Sequence, residues 1–374
     1  MSETRLIQEK IPLDENFDKY YIAISSLTEI SPVLKTVLLE YFDLNPVNFI
    51  NLNEEDLNLF ASAYPEIKIP RNFLSKIKEL NVDKIYEEII SYGFDYVTIQ
   101  NPKYPRLLKE IQDYPCVLYY KGNFSDEIFE NTLAIVGSRR ASENAKSSLR
   151  RIMSGMQNAN LTIVSGLAYG IDATAHRLAL EFGLRTIGGI GSGLNYKYPS
   201  SNEDLYAKIP ENNLIISEYP PYIPPTSFHF PQRNRIITGL SLGTLVAEAA
   251  LKSGAMISGN LALEQGRELM CIPGLITNPN TEGIYKLLKS GAGLVTCADD
   301  IFEYLGFDIS STKSEIQLSP EENKILSVLR LEEQSLENLI EKTEIDPSQL
   351  MVYLTALELQ GLIKQTRGKY FITD

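Results

Sequence analysis

The 374-residue sequence has few of the residues that bind metals or form disulfides. Its three cysteines, Cys116, Cys271 and Cys297, lie far apart in the chain, and it has only two histidines, His176 and His229. An odd number of separated cysteines is typical of reduced thiols in a cytosolic protein. With so few nitrogen and sulfur ligands and no paired-cysteine spacing, the sequence predicts no metal site.

Long apolar runs are also missing. No stretch of about eighteen apolar residues occurs, which argues against a membrane-spanning helix. The first ten residues, MSETRLIQEK, are polar and charged, unlike a secretory signal. The GxxxxGK[ST] phosphate loop of many ATPases is absent as well. We therefore expect a cytoplasmic protein, and we predict no cofactor.

The net charge of −13 is unevenly distributed along the chain. Residues 1–130 carry −9 and residues 306–374 carry −5, whereas residues 131–305 carry +1. Because charges are screened beyond about 8 Å at physiological salt, a local basic cleft attracts a polyanion even in an acidic protein. The overall acidity therefore does not exclude a nucleic-acid partner.

The central segment repeats one pattern, in which an apolar run ends abruptly in glycine, serine and a polar residue. The examples are LAIVGSRR from Leu133, LTIVSGLAYGID from Leu161, RTIGGIGSGLN from Arg185, NLIISEYPP from Asn213 and GTLVAEAALKSGAMIS from Gly243. Continuous β-branched runs that alternate with helical stretches predict a doubly wound α/β protein with a parallel sheet. Ligands of such sheets bind at the carboxyl ends of the strands, where these glycine turns lie.

The flanking segments differ from this centre. Residues 1–92 are predicted to form a helical module of helix-hairpin-helix or sterile-alpha-motif type, and residues 93–307 the sheet domain. Residues 308–318 have the composition of a linker. Residues 319–374 show the helix and strand order of a winged helix. This last segment is acidic, and its third helix lacks lysine and arginine, so a protein-binding role is at least as well supported as DNA reading.

Two polar segments supply candidate phosphate ligands. Gly137, Ser138 and Arg139 follow the first glycine-ending strand, where backbone N–H groups, a hydroxyl and a guanidinium can bind phosphate. Lys197 lies in a second glycine-rich turn, whose GxGxG pattern is a weak dinucleotide motif. The alternative for both is an exposed cation without a ligand.

The segment PPTSFHFPQRNRIITGLS is the third candidate. Phe228 and Phe230 precede Gln232, Arg233, Asn234 and Arg235. Aromatic rings, guanidinium groups and amides suit a single-stranded nucleic acid, because bases stack on rings and phosphates pair with arginine. The alternative is a loop that the two phenylalanines anchor in the core.

Carboxylates also occur at the predicted strand ends. Asp172, Glu218 and Glu248 could act as acid and base in glycosidic chemistry. We favour a structural role, in which they cap helices or hold the arginines.

Taken together, the motifs resemble the DNA processing protein A family, also called Smf. They include IVGSRRAS, IVSGLAYGIDATAHRLAL, GGIGSGLNYKYPSSNEDLY, ISEYPP, FPQRNRIITGLS and VAEAALKSGAMISGNLALEQGRELMCIPG, in this order. The resemblance spans roughly Phe94 to Tyr304 and implies a Rossmann-like sheet with accessory helical and winged-helix modules. It also implies a non-enzymatic protein that binds single-stranded DNA during natural transformation, protects it, loads the RecA recombinase onto it and dimerises through the sheet domain.

Carried over by motif, the resemblance places the DNA pocket on a defined set of residues. The predicted DNA-binding residues are Gly137, Ser138, Arg139, Gly166, Lys197, Phe228, Phe230, Gln232, Arg233, Asn234, Arg235, Ser253 and Gly254. The sequence departs from the family pattern at Asn195, where aspartate is usual, in SGAMIS, and before Phe228, where some members have lysine.

Two other functions compete with this one. A nucleotide phosphoribohydrolase of the LOG or lysine-decarboxylase-like type uses a similar glycine-rich edge, although LGTLVAEA matches its GGxGTxxE motif only in part. A duplex-DNA reader built on the winged helix is the second alternative.

Overall fold

The computed structural model describes residues 17–157, 159–307, 319–330, 332–359, 362–366 and 368–372. The described residues up to 307 form one compact unit, and those from 319 onward form a second. The predicted linker, 308–318, lies outside the described residues. The predicted boundary between residues 92 and 93 falls inside the first unit, and this division into domains stays a prediction.

The N-terminal part of the first unit is helical. It consists of α1 Phe17–Ser25, α2 Pro32–Tyr41, α3 Pro46–Ile50, α4 Glu54–Ala63, α5 Phe73–Lys78 and α6 Val82–Ser91. Ser31 caps α2 by accepting a hydrogen bond from Leu34 N at 3.3 Å, and Pro32 occupies the first turn, where its missing N–H costs nothing. Asn53 and Asp56 form a reciprocal capping box at α4.

This helical module shares its core with the rest of the unit. Phe49, Phe60 and Phe73 are fully buried in the same hydrophobic cluster as residues of the sheet. The Ser25 and Tyr119 hydroxyls are 2.7 Å apart, and Thr36 donates a hydrogen bond to the Tyr114 carbonyl at 3.0 Å. The module therefore packs directly on the sheet side of the unit.

The described residues of the first unit include a nine-stranded sheet. Its strands are β1 Asp95–Thr98, β2 Val117–Gly122, β3 Thr132–Gly137, β4 Thr162–Ser165, β5 Arg185–Gly189, β6 Leu214–Ser217, β7 Gly243–Glu248, β8 Glu268–Cys271 and β9 Gly293–Leu294. Their order is β1-β2-β6-β5-β4-β3-β7-β8-β9. Strands β3 to β9 pair in parallel, whereas β2 runs antiparallel to β6 and β1 antiparallel to β2. This confirms the predicted parallel sheet.

Helices cover both faces of the sheet. They are α7 Arg106–Lys109, α8 Glu143–Ser154, α9 Ile171–Glu181, α10 Glu203–Asn212, α11 His229–Gly239, α12 Gly254–Glu264, α13 Glu282–Lys289 and α14 Ala298–Tyr304. Alternate residues of β3 enter different clusters, Leu133 and Ile135 one and Ala134 and Val136 the other. Strands buried on both faces explain the continuous apolar runs of the sequence. The chain order reverses between β3 and β7, which places a binding crevice at their carboxyl ends.

The second unit is a winged helix, as predicted. It contains α15 Pro320–Leu329, α16 Leu336–Thr343, α17 Pro347–Leu359, β10 Gln334–Ser335, β11 Ile363–Thr366 and β12 Lys369–Ile372. The antiparallel strands are ordered β10-β12-β11. Met351 and Val352 are exposed on α17, the helix that lacks cations. No helix in the described ranges of either unit is long and apolar enough to cross a membrane.

Candidate nucleic-acid interface

The turn after β3 forms one wall of a cleft at the carboxyl ends of the strands. Ser138 links it to the start of α9, because its carbonyl accepts a hydrogen bond from Ile171 N at 3.1 Å. Gly170 makes this close approach possible: its φ is +76°, and a Cβ there would lie 2.1 Å from the Ser138 carbonyl oxygen. Arg139 and Arg140 are therefore held on a fixed turn, with exposed side chains.

Two predicted site residues meet across the cleft. The Arg139 guanidinium carbon lies 5.2 Å from the centroid of the Phe230 ring, within the range of a cation–π contact. Phe230 also stacks on Tyr198, with centroids 5.4 Å apart and an interplanar angle of 21°. Tyr198 was not predicted from the sequence, although an exposed aromatic residue beside a glycine turn is a usable signal.

The cleft has a volume of about 770 Å³. The predicted site residues that line it are Gly137, Ser138, Arg139, Phe230, Arg233, Asn234, Ser253 and Gly254. Residues outside the predicted set also line it, among them Arg140, Asp172, Tyr198, Ser258 and Asn280. The first turn of α12 thus approaches the turn after β3. Segments far apart in the chain together form a cationic and aromatic cleft.

Gly166 lies beside this cleft, in a narrower pocket that Arg139, Tyr198 and Phe230 also line. Its N–H donates to Asp172 Oδ2 at 3.1 Å. A Cβ at Gly166 would come within 2.5 Å of both Asp172 Oδ2 and Arg233 Nη1. A larger residue at position 166 would displace the carboxylate and the guanidinium that pack against the Gly166 backbone.

The QRNR segment lies on helix α11 rather than in a loop. Arg233 is only 3% exposed and donates to the carbonyls of Gly166, at 2.6 Å, and Gly189. It thereby ties α11 to the ends of β4 and β5. Burial raises the pKa of the nearby Asp172 carboxyl, while the positive charge of Arg233 opposes this shift.

Two other residues of this segment are not brought to the cleft. Arg235 points to the opposite side of α11, where it is 3% exposed and pairs with Glu218 at 2.7 Å and Asp113 at 3.1 Å. Gln232 accepts a hydrogen bond from the Tyr219 hydroxyl at 3.0 Å. Residues two apart on a helix face different directions, so consecutive polar residues do not form one binding surface.

The remaining predicted residues lie outside the lining of the cleft. Phe228 is 65% exposed and directly precedes α11. Lys197 is exposed and pairs with Glu203 at 2.7 Å. Asn195, the departure from the family pattern, is also exposed.

The carboxylates at the strand ends have structural partners. Glu248 is fully buried and accepts hydrogen bonds from Ser142 N at 3.1 Å, Ser142 Oγ at 2.6 Å and Asn278 Nδ2 at 3.1 Å. It thereby holds the N-terminus of α8, which favours an anion. Glu218 is paired with Arg235. These partners agree with the structural role we favoured and do not favour the phosphoribohydrolase alternative.

Comparison with known proteins gives matches over both units. The family model of DNA recombination-mediator protein A matches residues 95–306, and that of the DprA winged helix domain matches residues 310–369. DNA processing protein DprA of Streptococcus pneumoniae is 37% identical over 297 residues, which cover 78% of this chain and 99% of the relative. Protein Smf of Escherichia coli is 42% identical over 207 residues, 55% of each chain.

Solved structures agree with these matches. The X-ray structure of DprA from Streptococcus pneumoniae has a TM-score of 0.66 and 35% identity, and covers 79% of this chain and 99% of its own. DNA processing protein A from Helicobacter pylori, whose single-stranded DNA binding mode has been described structurally, has a TM-score of 0.51 and 29% identity. This match covers 57% of this chain and 96% of that one. The chain belongs to the DNA recombination-mediator protein A family, whose members are also named DprA and Smf.

Proposed function

We propose that this chain binds single-stranded DNA in the cleft at the carboxyl ends of β3, β4 and β7. The observation that carries this proposal is the group formed by Arg139, Phe230 and Tyr198. A guanidinium beside an aromatic stack suits a phosphate and the base attached to it. The described single-stranded DNA binding of the Helicobacter pylori relative supports the same ligand.

The geometry favours unpaired bases over a duplex. Stacking on Phe230 or Tyr198 requires a base whose face is free, and bases in a duplex are already stacked on their neighbours. Ser253 and Gly254 begin α12 at the same cleft, and a helix N-terminus attracts phosphate. We therefore assign the phosphate contacts to Arg139 and the two turns, and the base contacts to the aromatic rings.

We further propose that the protein acts as a non-enzymatic recombination mediator. In this role it protects incoming single-stranded DNA during natural transformation, loads RecA onto it and forms a homodimer through the sheet domain. Membership of the family supports the role. The edge strand β9 carries Leu294, which is 48% exposed and offers a surface for a second copy.

Fluorescence anisotropy with a labelled oligothymidylate tests the ligand and the site together. The wild-type protein should bind this strand more tightly than a duplex of equal length. Arg139→Ala should weaken binding and reduce the slope of log Kd against log salt concentration by about 0.7, the value for one lost phosphate contact on a single strand. Arg150→Ala is the matched control, since Arg150 is an exposed, ion-paired arginine on α8.

The outcomes of this experiment distinguish a wrong binding site from a wrong function. Wild-type protein that does not bind single strands would reject the function. Binding that is unchanged in Arg139→Ala would reject only the site. Light scattering measures dimerisation, and RecA filament formation on strands precoated with single-stranded DNA-binding protein measures loading.

A further inference from the structure

Arg235 was predicted to bind DNA, yet its side chain lies inside the protein. Helix α11 carries Arg233 and Arg235 on different faces. Arg233 holds the strand ends beside the cleft, whereas Arg235 is directed to the segment before β2 and to the end of β6. The second arginine therefore has a different role from the first.

The surroundings of Arg235 form a buried charge network. Arg235 Nη2 lies 2.7 Å from Glu218 Oε2, and Arg235 Nε lies 3.1 Å from Asp113 Oδ2. Glu218 is 8% exposed. Although burial lowers the pKa of Arg235, Glu218 and Asp113 together raise it, so the guanidinium stays charged. A single cation thus holds two carboxylates from different segments.

A lysine of the helical module lies beside this network. Lys35, on α2, lines one small cavity together with Glu218 and Arg235, and its ammonium donates to the Leu27 carbonyl at 3.3 Å. Burial lowers the pKa of Lys35; the charge of Glu218 opposes this shift, and the charge of Arg235 adds to it. Lys35 therefore lies at the same cavity as the Arg235–Glu218 ion pair.

The same position is also joined to the cleft through α12. The Arg235 carbonyl accepts a hydrogen bond from Gln265 Nε2 at 3.0 Å, at the end of α12. Ser253 and Gly254, at the other end of α12, line the cleft. Arg235 therefore connects α11, which supplies Phe230, with α12 and with the segment before β2, on which the helical module packs through Thr36.

We propose that Arg235 is a positioning residue for single-stranded DNA binding, and that its network with Glu218, Asp113 and Lys35 makes the helical module a support for helix α11. This inference rests on the proposed function. It predicts that DNA affinity depends on charges outside the cleft, of which Arg235 and Glu218 are buried. The ligand contacts stay with Arg139 and Phe230, while Arg235 and Lys35 fix where Phe230 and Asn234 stand.

The test compares Arg235→Met with Arg139→Ala in the full chain. Arg235→Met should raise Kd for oligothymidylate about tenfold with an unchanged salt slope, because a buried partner is lost but no phosphate contact. Hydrogen exchange of the α11 amides in the free protein should become faster in Arg235→Met and stay as in wild type in Arg139→Ala. Lys35→Met should show the same pattern more weakly.

A second substitution that restores the charge balance should partly rescue DNA binding in Arg235→Met. Arg235→Met alone leaves Glu218 without its partner, whereas Arg235→Met combined with Glu218→Gln removes one charge of each sign. The double variant should recover part of the affinity and of the exchange protection. A residue that contacts phosphate directly would not be rescued by a change at Glu218.

Several results would overturn the proposal. A reduced salt slope in Arg235→Met would show that Arg235 contacts phosphate. Unchanged DNA affinity and unchanged hydrogen exchange of the α11 amides would show that Arg235 does not position α11. If Arg235→Met does not fold, Lys35→Met decides, and unchanged affinity there rejects the support by the helical module. If Arg139→Ala leaves binding unchanged, the proposed site fails, while the exchange result still reports on the network.

Discussion

Arg139 and Phe230 meet as a cation over an aromatic ring, 5.2 Å from guanidinium carbon to ring centroid. Arg139 is held on the turn after β3, and Phe230 lies in the first turn of α11, so neither segment alone makes the contact. Another arginine–phenylalanine contact lies away from the cleft, where Arg150 lies 5.8 Å from the Phe182 centroid. This second pair provides matched controls.

Phe230→Leu should weaken single-stranded DNA binding while leaving its salt dependence unchanged. Leucine keeps an apolar side chain but cannot stack a base, and stacking contributes about 1–3 kcal/mol per base. The measurement is the Kd for oligothymidylate at several salt concentrations. Phe182→Leu, the control, should bind as the wild type does; an equal loss in both variants would point to a fold defect instead of a lost base contact.

Lys197 stays a predicted DNA ligand, and its ion pair with Glu203 gives a test. Exposed pairs of this kind contribute at most about 1 kcal/mol, so phosphate can replace Glu203 at little cost. We expect Lys197→Ala to reduce the salt slope by about 0.7 and Glu203→Gln to tighten DNA binding modestly, because it removes a competing negative charge. If neither variant changes the binding isotherm, Lys197 is no ligand.

Glu248→Gln should destabilise the sheet domain. The carboxylate accepts three hydrogen bonds, and an amide nitrogen in place of one oxygen would face a donor, at a cost of about 1–3 kcal/mol. Urea unfolding measures this loss. The enzymatic alternative is checked with the same variant: wild-type protein should release no base from nucleoside monophosphates, and release that disappears in Glu248→Gln would contradict our assignment.

His176 should make folding stability depend on pH. Burial lowers its pKa from 6.5 to about 3, and Nδ1 lies 2.8 Å from Thr186 Oγ1, which itself donates to the Ile163 carbonyl. Below pH 6.5 the unfolded chain binds a proton that the folded protein does not, so stability falls as the pH decreases. Between pH 7 and pH 5 this histidine should contribute a loss of about 2 kcal/mol.

Two measurements check this prediction. Urea unfolding at pH 7 and pH 5 should show a smaller difference in His176→Gln than in wild type, whatever the absolute stability of the variant. Proton NMR should show a His176 ring signal that does not titrate between pH 8 and pH 5. A signal that titrates near pH 6.5 would rule out the buried neutral form.

The parallel sheet and its ligand-binding edge could be predicted from the sequence because they depend on local patterns. Leu133 to Val136 form a continuous apolar run, as a strand buried on both faces requires, and Gly137 ends it where a turn must approach a ligand. Ser31 and Pro32 likewise predict the start of α2, because serine is a common N-cap residue and proline fits the first helical position. The winged helix follows equally from the order of its elements.

The individual roles in the site were less predictable. Arg233, Asn234 and Arg235 are consecutive in the sequence. On α11, however, Asn234 lines the cleft, whereas Arg235 pairs with Glu218. The sequence does not predict Tyr198 as a site residue, because its role depends on stacking on Phe230, a partner from another segment. Such contacts depend on how the helices and strands pack, and this packing cannot be read from a single sequence.

The sequence by itself determined the strands, the glycine turns at their ends and the family, since each is encoded in neighbouring residues. Only the tertiary structure decided which arginine faces a ligand and which is buried. Helix rotation and the positions of Glu218 and Asp113 fix this choice, because a buried guanidinium is stable only where carboxylates or carbonyls from other segments surround it.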